Sequence, residues 1–185
     1  MDDLADTVPQ LSVEEEVARL RGLLLRGRHA EALDGARALN AALPENRDLL
    51  LMSAVCLRQL ARLPEALDVL DRLEALQPRF SRLYEERGLC HVARRDAPAA
   101  INALLRAVNV NPALPMSWRM LEGVYRLTGD QANAATAAAH VATLRGLPSE
   151  VVTATGLYAD GELGAAEQII RAFLLQPRRP SPAPA

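Results

Sequence analysis

Apolar residues recur along this chain at helical spacing, and they do so in blocks that repeat. Between Ser81 and Pro112 the pattern predicts two helices facing each other across a tight turn. The first carries Tyr84, Gly88 and His91; the second carries Ala100, Leu104 and Ala107 and closes at Pro112. Small residues at Gly88 and Ala100 are expected to face each other, letting the two backbones approach closely. Moving back 34 residues brings Ala54, Leu57, Ala66, Leu70, Leu73 and Pro78 onto the same positions. A second step brings in Ala32, Ala36, Leu39 and Pro44. A period of this length, with one helix–turn–helix per period, predicts stacked units, none of which can bury its apolar face alone.

Punctuation between the blocks supports the same register. Ser12 followed by Glu15 forms a capping box, in which each side chain satisfies a backbone amide of the other, so a helix is predicted from Val13 to about Arg26. Gly27 ends it, as glycine does where the backbone turns left-handed, and Gly129 and Gly161 take the same turn position later on. Second helices are predicted to begin near Ala30, Pro64, Ala97, Gln131 and Leu163. Pro64 and Pro98 fall in first turns, where a missing amide costs little, and Asp96 and Asp130 stand where they can cap.

In the fourth block Trp118, Leu121 and Tyr125 keep the opening spacing, although Glu122 replaces the small residue. Ala134, Ala138 and Val141 follow, and Gly146 stands in place of the proline. A fifth block fits if the register restarts at Leu147, placing Ala154, Leu157, Ala166, Ile170 and Phe173. The first block departs most, with Glu16 and Arg19 at positions the pattern makes apolar. Taken together the blocks resemble tetratricopeptide repeat (TPR) proteins over nearly the whole chain. The resemblance implies an all-α, right-handed α–α superhelix, a solenoid of about five repeats. Their expected bounds are 13–46, 47–80, 81–114, 115–146 and 147–176, behind an acidic leader at 1–12. Residues 177–185, with four prolines in nine positions, are expected to form a disordered tail.

Composition narrows the function. Half of the 185 residues are apolar and 3% are aromatic, so the core is built from Leu and Ala, which also favour helix. The formal net charge of −2 argues against general attraction to nucleic acid or to an anionic membrane. All 21 basic residues are arginine. Without lysine, neither a Walker-type phosphate loop nor a Schiff-base enzyme can be built. The N-terminus lacks the basic-then-apolar order of a secretory signal, no apolar run approaches the roughly 18 residues of a membrane span, and cysteines are few. The expected location is the cytoplasm.

Candidate chemistry is sparse. Cys56 and Cys90 lie 34 residues apart. Equivalent positions on stacked helices are about 8–10 Å apart, too far for a relaxed disulfide, so both read as buried small apolar residues. His29, His91 and His140 have no partner at metal-ligand spacing, and His91 reads as a packed ring. Glu85–Glu86 and Glu14–Glu16 read as helix-surface charge. No catalytic site, cofactor or metal site is expected. A partner-binding groove is the remaining candidate.

In TPR arrays the first helix of each unit lines the concave face. By register the resemblance puts Asp48, Leu51, Val55 and Arg58 there from the second unit. The third adds Arg82, Glu85, Leu89 and Val92, and the fourth Met116, Arg119, Gly123 and Arg126. Apolar residues mixed with arginines suit a protein or peptide with acidic and aliphatic side chains. The carboxylate clamp of the chaperone-binding branch is absent, since Val17 and Arg21 stand at its first-unit positions and there is no lysine.

Two further expectations concern the C-terminal end. Residues 153–176 resemble the segment found in bacterial TPR proteins that carry a sulfotransferase domain, which implies as the alternative function the TPR region of such an enzyme, without its catalytic domain. The final helix places Ile169, Leu174 and Leu175 on faces with no following helix, so an apolar patch is expected there, covered by a second copy as a homodimer or by downstream sequence.

Overall fold

The computed structural model describes residues 12–175, and among them every regular element is an α-helix. Two compact units divide at residue 76. The first holds α1 (Val13–Leu25), α2 (His29–Ala42), α3 (Arg47–Gln59) and α4 (Leu63–Leu76). The second holds α5 (Ser81–Ala93), α6 (Ala97–Val110), α7 (Pro115–Leu127), α8 (Gln131–Arg145), α9 (Ser149–Ala159) and α10 (Leu163–Leu175). Each odd-numbered helix packs against the even-numbered one that follows it. No described helix is long and apolar enough to cross a membrane.

Helix starts follow the local chemistry. Ser12 and Glu15 form the capping box, with the Ser12 amide donating to Glu15 Oε2 at 2.7 Å and the Glu15 amide to Ser12 Oγ at 3.2 Å. Asp96 accepts from the Ala99 amide and Asp130 from the Asn133 amide. Asn46 caps α3, accepting from the Asp48 and Leu49 amides at 3.1 Å each; the sequence pattern by itself places this residue only in a loop.

Helix ends show the period most clearly. Residues 27, 61, 95 and 129 all have positive φ, between 58° and 81°, and Gly161 repeats this at 82°. At each turn two backbone bonds close the helix. In the second pair, for example, Ala61 N–H donates to Arg58 O at 2.9 Å and Arg62 N–H to Leu57 O at 2.8 Å. This Schellman closure satisfies carbonyls that the helix end would leave open. Glycine takes the left-handed position in three turns, but Ala61 and Arg95 take it in the other two. The last interval is 32 residues rather than 34, which is the register restart at Leu147.

The core of each unit is built from the small and branched residues the pattern singled out. Ala32, Ala66, Ala100, Ala134 and Ala166 are all buried, and Ala54, Leu57, Leu70, Leu73, Leu104 and Ala107 are fully so. One packing detail differs from expectation. A Cβ at Gly88 would lie 2.6 Å from Leu104 Cγ and 2.7 Å from its Cδ2, so Leu104, one turn beyond Ala100, covers the glycine. In the first pair large and small residues are exchanged. Leu20 stands at the Gly88 position and Ala36 at the Leu104 position, both fully buried, while Gly35 leaves room for the Leu20 side chain. Volume is conserved across the pair rather than residue type. The two departures from pattern there, Glu16 and Arg19, form an exposed ion pair at 2.5 Å.

Candidate partner-binding surfaces

Tyr84 and Trp118 each fix the entry to their helix. Buried Tyr84 donates its hydroxyl to the Pro78 carbonyl at 2.8 Å, and the Trp118 indole N–H donates to the Pro112 carbonyl at 2.9 Å. The indole also stacks on His140, with ring centroids 3.9 Å apart, which gives that histidine a packing role. His91 is half-buried, with Nδ1 3.8 Å from the Asp96 carboxylate. Both cysteines are buried, Cys56 in the first unit and Cys90 in the second. Among the described residues no group of three or more His, Cys, Asp or Glu could hold a metal ion.

In the first unit, Asp48 is engaged by Arg47 at 3.4 Å and Arg21 at 3.6 Å. Leu51 is buried and offers almost no surface, while Val55 and Arg58 are half-buried. In the second unit α5 and α7 start side by side, tied by Ser117 Oγ donating to Glu85 Oε2 at 2.6 Å. Arg82, Met116 and Arg119 are exposed on these helices, and Leu89 and Val92 are half-buried. Nothing lies within 4 Å of a Cβ placed on Gly123, so that stretch of α7 is open. Arg126 is committed within its own helix, paired with Glu122 at 2.6 Å.

The structure places Arg82 and Arg119 on one cleft of about 610 Å³, together with residues that the repeat register does not select. Its further walls come from the end of α8, with Val141, Leu144 and Arg145, and from α9, with Val152, Leu157 and Asp160. Among the described residues none of the three arginines has an ion-pair partner.

The cleft exists because α9 runs back across the unit. Fully buried Asn111 donates Nδ2 to Ser81 Oγ at 3.3 Å and to the Gly156 carbonyl at 3.2 Å, and its Oδ1 accepts from the Ala113 amide at 3.0 Å. At the end of α9, Asp160 Oδ1 accepts from the Ser81 amide at 2.8 Å. Phe80, the residue before α5, supplies no side-chain cap, so a carboxylate 79 residues away caps that helix, at the end where the helix dipole favours negative charge. The end of α9 thus meets the start of α5, whereas α5 and α7 meet start to start. No local signal in the sequence could have found this contact.

The terminal hairpin of α9 and α10 also shows an apolar face. Tyr158 is 68% exposed, Leu163 60%, Leu174 73% and Leu175 78%, while Ile169 is half-buried. Ala154 and Ala166 are the buried contacts between the two helices, with Ile170 and Phe173 half-buried beside them.

No protein-family model matches the sequence, and no curated protein does. Solved structures do match. One is a thermophilic TPR protein from Thermus thermophilus, 21% identical, with 88% of this chain and 81% of that one covered at a TM-score of 0.63. The MamA protein matches at 17% identity and a TM-score of 0.59, covering 91% of this chain and all of that one. A chain of Naa15/Naa10 bound to HypK-THB gives 16% identity and a TM-score of 0.64 over 91% of this chain, which spans 26% of that chain. Likeness at this identity shows the fold, an all-α solenoid of the TPR kind.

Proposed function

We propose that this protein is an interaction scaffold that holds a partner protein or peptide on the exposed face of its odd-numbered helices. The observation carrying the reading is the face formed by α5 and α7, where Arg82, Met116 and Arg119 are exposed and Leu89 is half-buried. Such a mixture fits a partner presenting carboxylates and aliphatic side chains, because guanidinium groups recognise carboxylates through paired hydrogen bonds. The fold supports it, since one matching structure, Naa15/Naa10, is bound to HypK-THB. A net charge of −2 weighs against nucleic acid as the partner.

The test is a selection of displayed random peptides on the immobilised chain. Wild type should enrich one class of peptide, and the Arg119→Glu, Arg126→Glu double variant should fail to enrich it while its far-ultraviolet circular dichroism stays unchanged. No enrichment over the bare support would end this reading. Equal enrichment by both proteins would move the site off α7. A second surface, the apolar face of α10, is proposed to join two copies of the chain through Leu174 and Leu175. The sulfotransferase alternative rests on the sequence of residues 153–176, which form the α9–α10 hairpin, and no structural observation favours it.

A further inference from the structure

The geometry points to the cleft between α8 and α9, rather than the open face of α5 and α7, as the place where an acidic, leucine-bearing peptide is gripped. This rests on the scaffold reading and narrows it to one site. Charge complementarity carries the argument. Arg82, Arg119 and Arg145 come from three different helices and converge on one cleft, and none has an ion-pair partner among the described residues. The cleft sets one carboxylate, Asp160, against the three guanidinium groups, so the balance facing a ligand is positive. Several surface arginines outside the cleft are engaged by a carboxylate three or four residues away, as in Arg126–Glu122, Arg62–Glu65 and Arg171–Glu167, whereas the cleft gathers three that are not. Three guanidinium groups left together over an apolar floor form the arrangement a carboxylate-rich segment would complete.

The floor supplies the second half of the recognition. Leu144 from α8 and Val152 and Leu157 from α9 line the cleft, and all three are half-buried, so a leucine side chain seated there would remove apolar surface from water on both sides. An open helix face gives an extended peptide one wall; the return of α9 gives it two. The walls are also held apart by fixed contacts, Asn111 to Gly156 and Asp160 to Ser81, so little ordering is left to the moment of binding.

The experiment uses a fluorescein-labelled decapeptide built from Glu-Glu-Leu steps, followed by fluorescence polarisation on the intact chain. Two control peptides replace every Glu by Lys, or every Leu by Ser. The Glu-Leu peptide should bind, both controls should not, and added salt should weaken the complex. Arg145→Glu and Val152→Glu, one on each wall, should each weaken it by about 10- to 100-fold, the range of a lost charge-assisted contact. Arg145→Gln, which removes the charge without reversing it, should fall between, and helix content should be unchanged in all three variants. Wild-type affinity in Arg145→Glu and Val152→Glu, with loss instead in Met116→Glu, would overturn the cleft and leave the scaffold standing on its open face. A flat polarisation signal with wild type, when the displayed-peptide selection has enriched some other class, would likewise overturn the cleft alone. If the selection also enriches nothing, both readings fall.

Discussion

The exchange of large and small residues between the first and third helix pairs can be tested as a swap. Gly88 in α5 is covered by Leu104 of α6, and both are buried. In the first pair Leu20 and Ala36 occupy the same two positions with the sizes reversed. Replacing Gly88 by Leu puts a side chain where even a Cβ would stand 2.6 Å from Leu104 Cγ, well inside van der Waals contact. Leu104 is fully buried, so its shift would have to displace other core side chains. Overpacking of this kind costs about 1–3 kcal/mol, offset in part by roughly 0.5–1 kcal/mol from removing a helix-interior glycine. Leu104→Ala alone opens a cavity and should cost about 2–5 kcal/mol. If the sites are partners, the double variant Gly88→Leu, Leu104→Ala rebuilds the packing of the first pair. Its loss should then fall short of the sum of the single losses by about 1–3 kcal/mol. Urea denaturation followed by circular dichroism, on wild type and the three variants, reads this directly. Strict additivity would show that the two side chains do not share a space, and that the similarity between the pairs is coincidence.

Three other outcomes are expected. Ala61→Gly and Arg95→Gly should each raise stability by roughly 0.5–1 kcal/mol, because the left-handed backbone at these exposed turns strains any residue with a Cβ; Gly129→Ala should lower it by a similar amount, and thermal melts showing one sign for both changes would contradict the turn assignment. Light scattering should show a concentration-dependent dimer that Leu174→Glu makes monomeric, and a wild-type chain that stays monomeric at high concentration without binding an apolar dye would show that α10 needs no cover. The Asp130 carboxylate is held below its usual range by the Asn133 side-chain and backbone N–H groups. Its contribution to stability is therefore present above about pH 4, where the unfolded group ionises, and is lost as pH falls through the lower folded value; Asp130→Asn should flatten that part of the stability-against-pH curve, and an unchanged curve would refute the assignment.

The parts of this fold that were legible are those that local chemistry determines. A capping box, an aspartate before a helix and a glycine that must turn left-handed each act over four or five residues, so Ser12, Asp96, Asp130 and Gly27 could be read one at a time. The buried alanine of every pair could be read because the same packing demand recurs in every unit. Ala61 and Arg95 escaped because a turn held by two backbone hydrogen bonds tolerates strain at its left-handed residue, and nothing in the side chain records it. The identity of the residue over Gly88 escaped because register fixes which positions are buried, but not which turn of the neighbouring helix lies above a given atom.

The cleft was illegible for a different reason. Sequence periodicity describes a unit's relation to the next one, and it assumes that each step repeats the last. That assumption placed Arg119 and Arg126 together, seven residues apart on one helix; in the structure Arg126 pairs with Glu122, and Arg119 lines one cleft with Arg82 and Arg145. What redirects the chain is the segment Gly146-Leu147-Pro148, where the proline of the earlier units is displaced and the period shortens. From there α9 crosses to the start of α5, and two side chains hold it: Asn111, in the connection between α6 and α7, and Asp160, at the end of α9 itself. Asn111 stands next to the repeat's own proline, so in the sequence it looks like loop material. Its burial with three hydrogen bonds shows the opposite, because a buried amide is tolerated only where its donors and acceptor are met, and those partners are specific to one arrangement. A polar residue that the repeat does not require, buried near the point where the repeat is broken, ties α9 to the start of α5 and to the connection leading into α7, and the arginine-lined cleft follows from that placement.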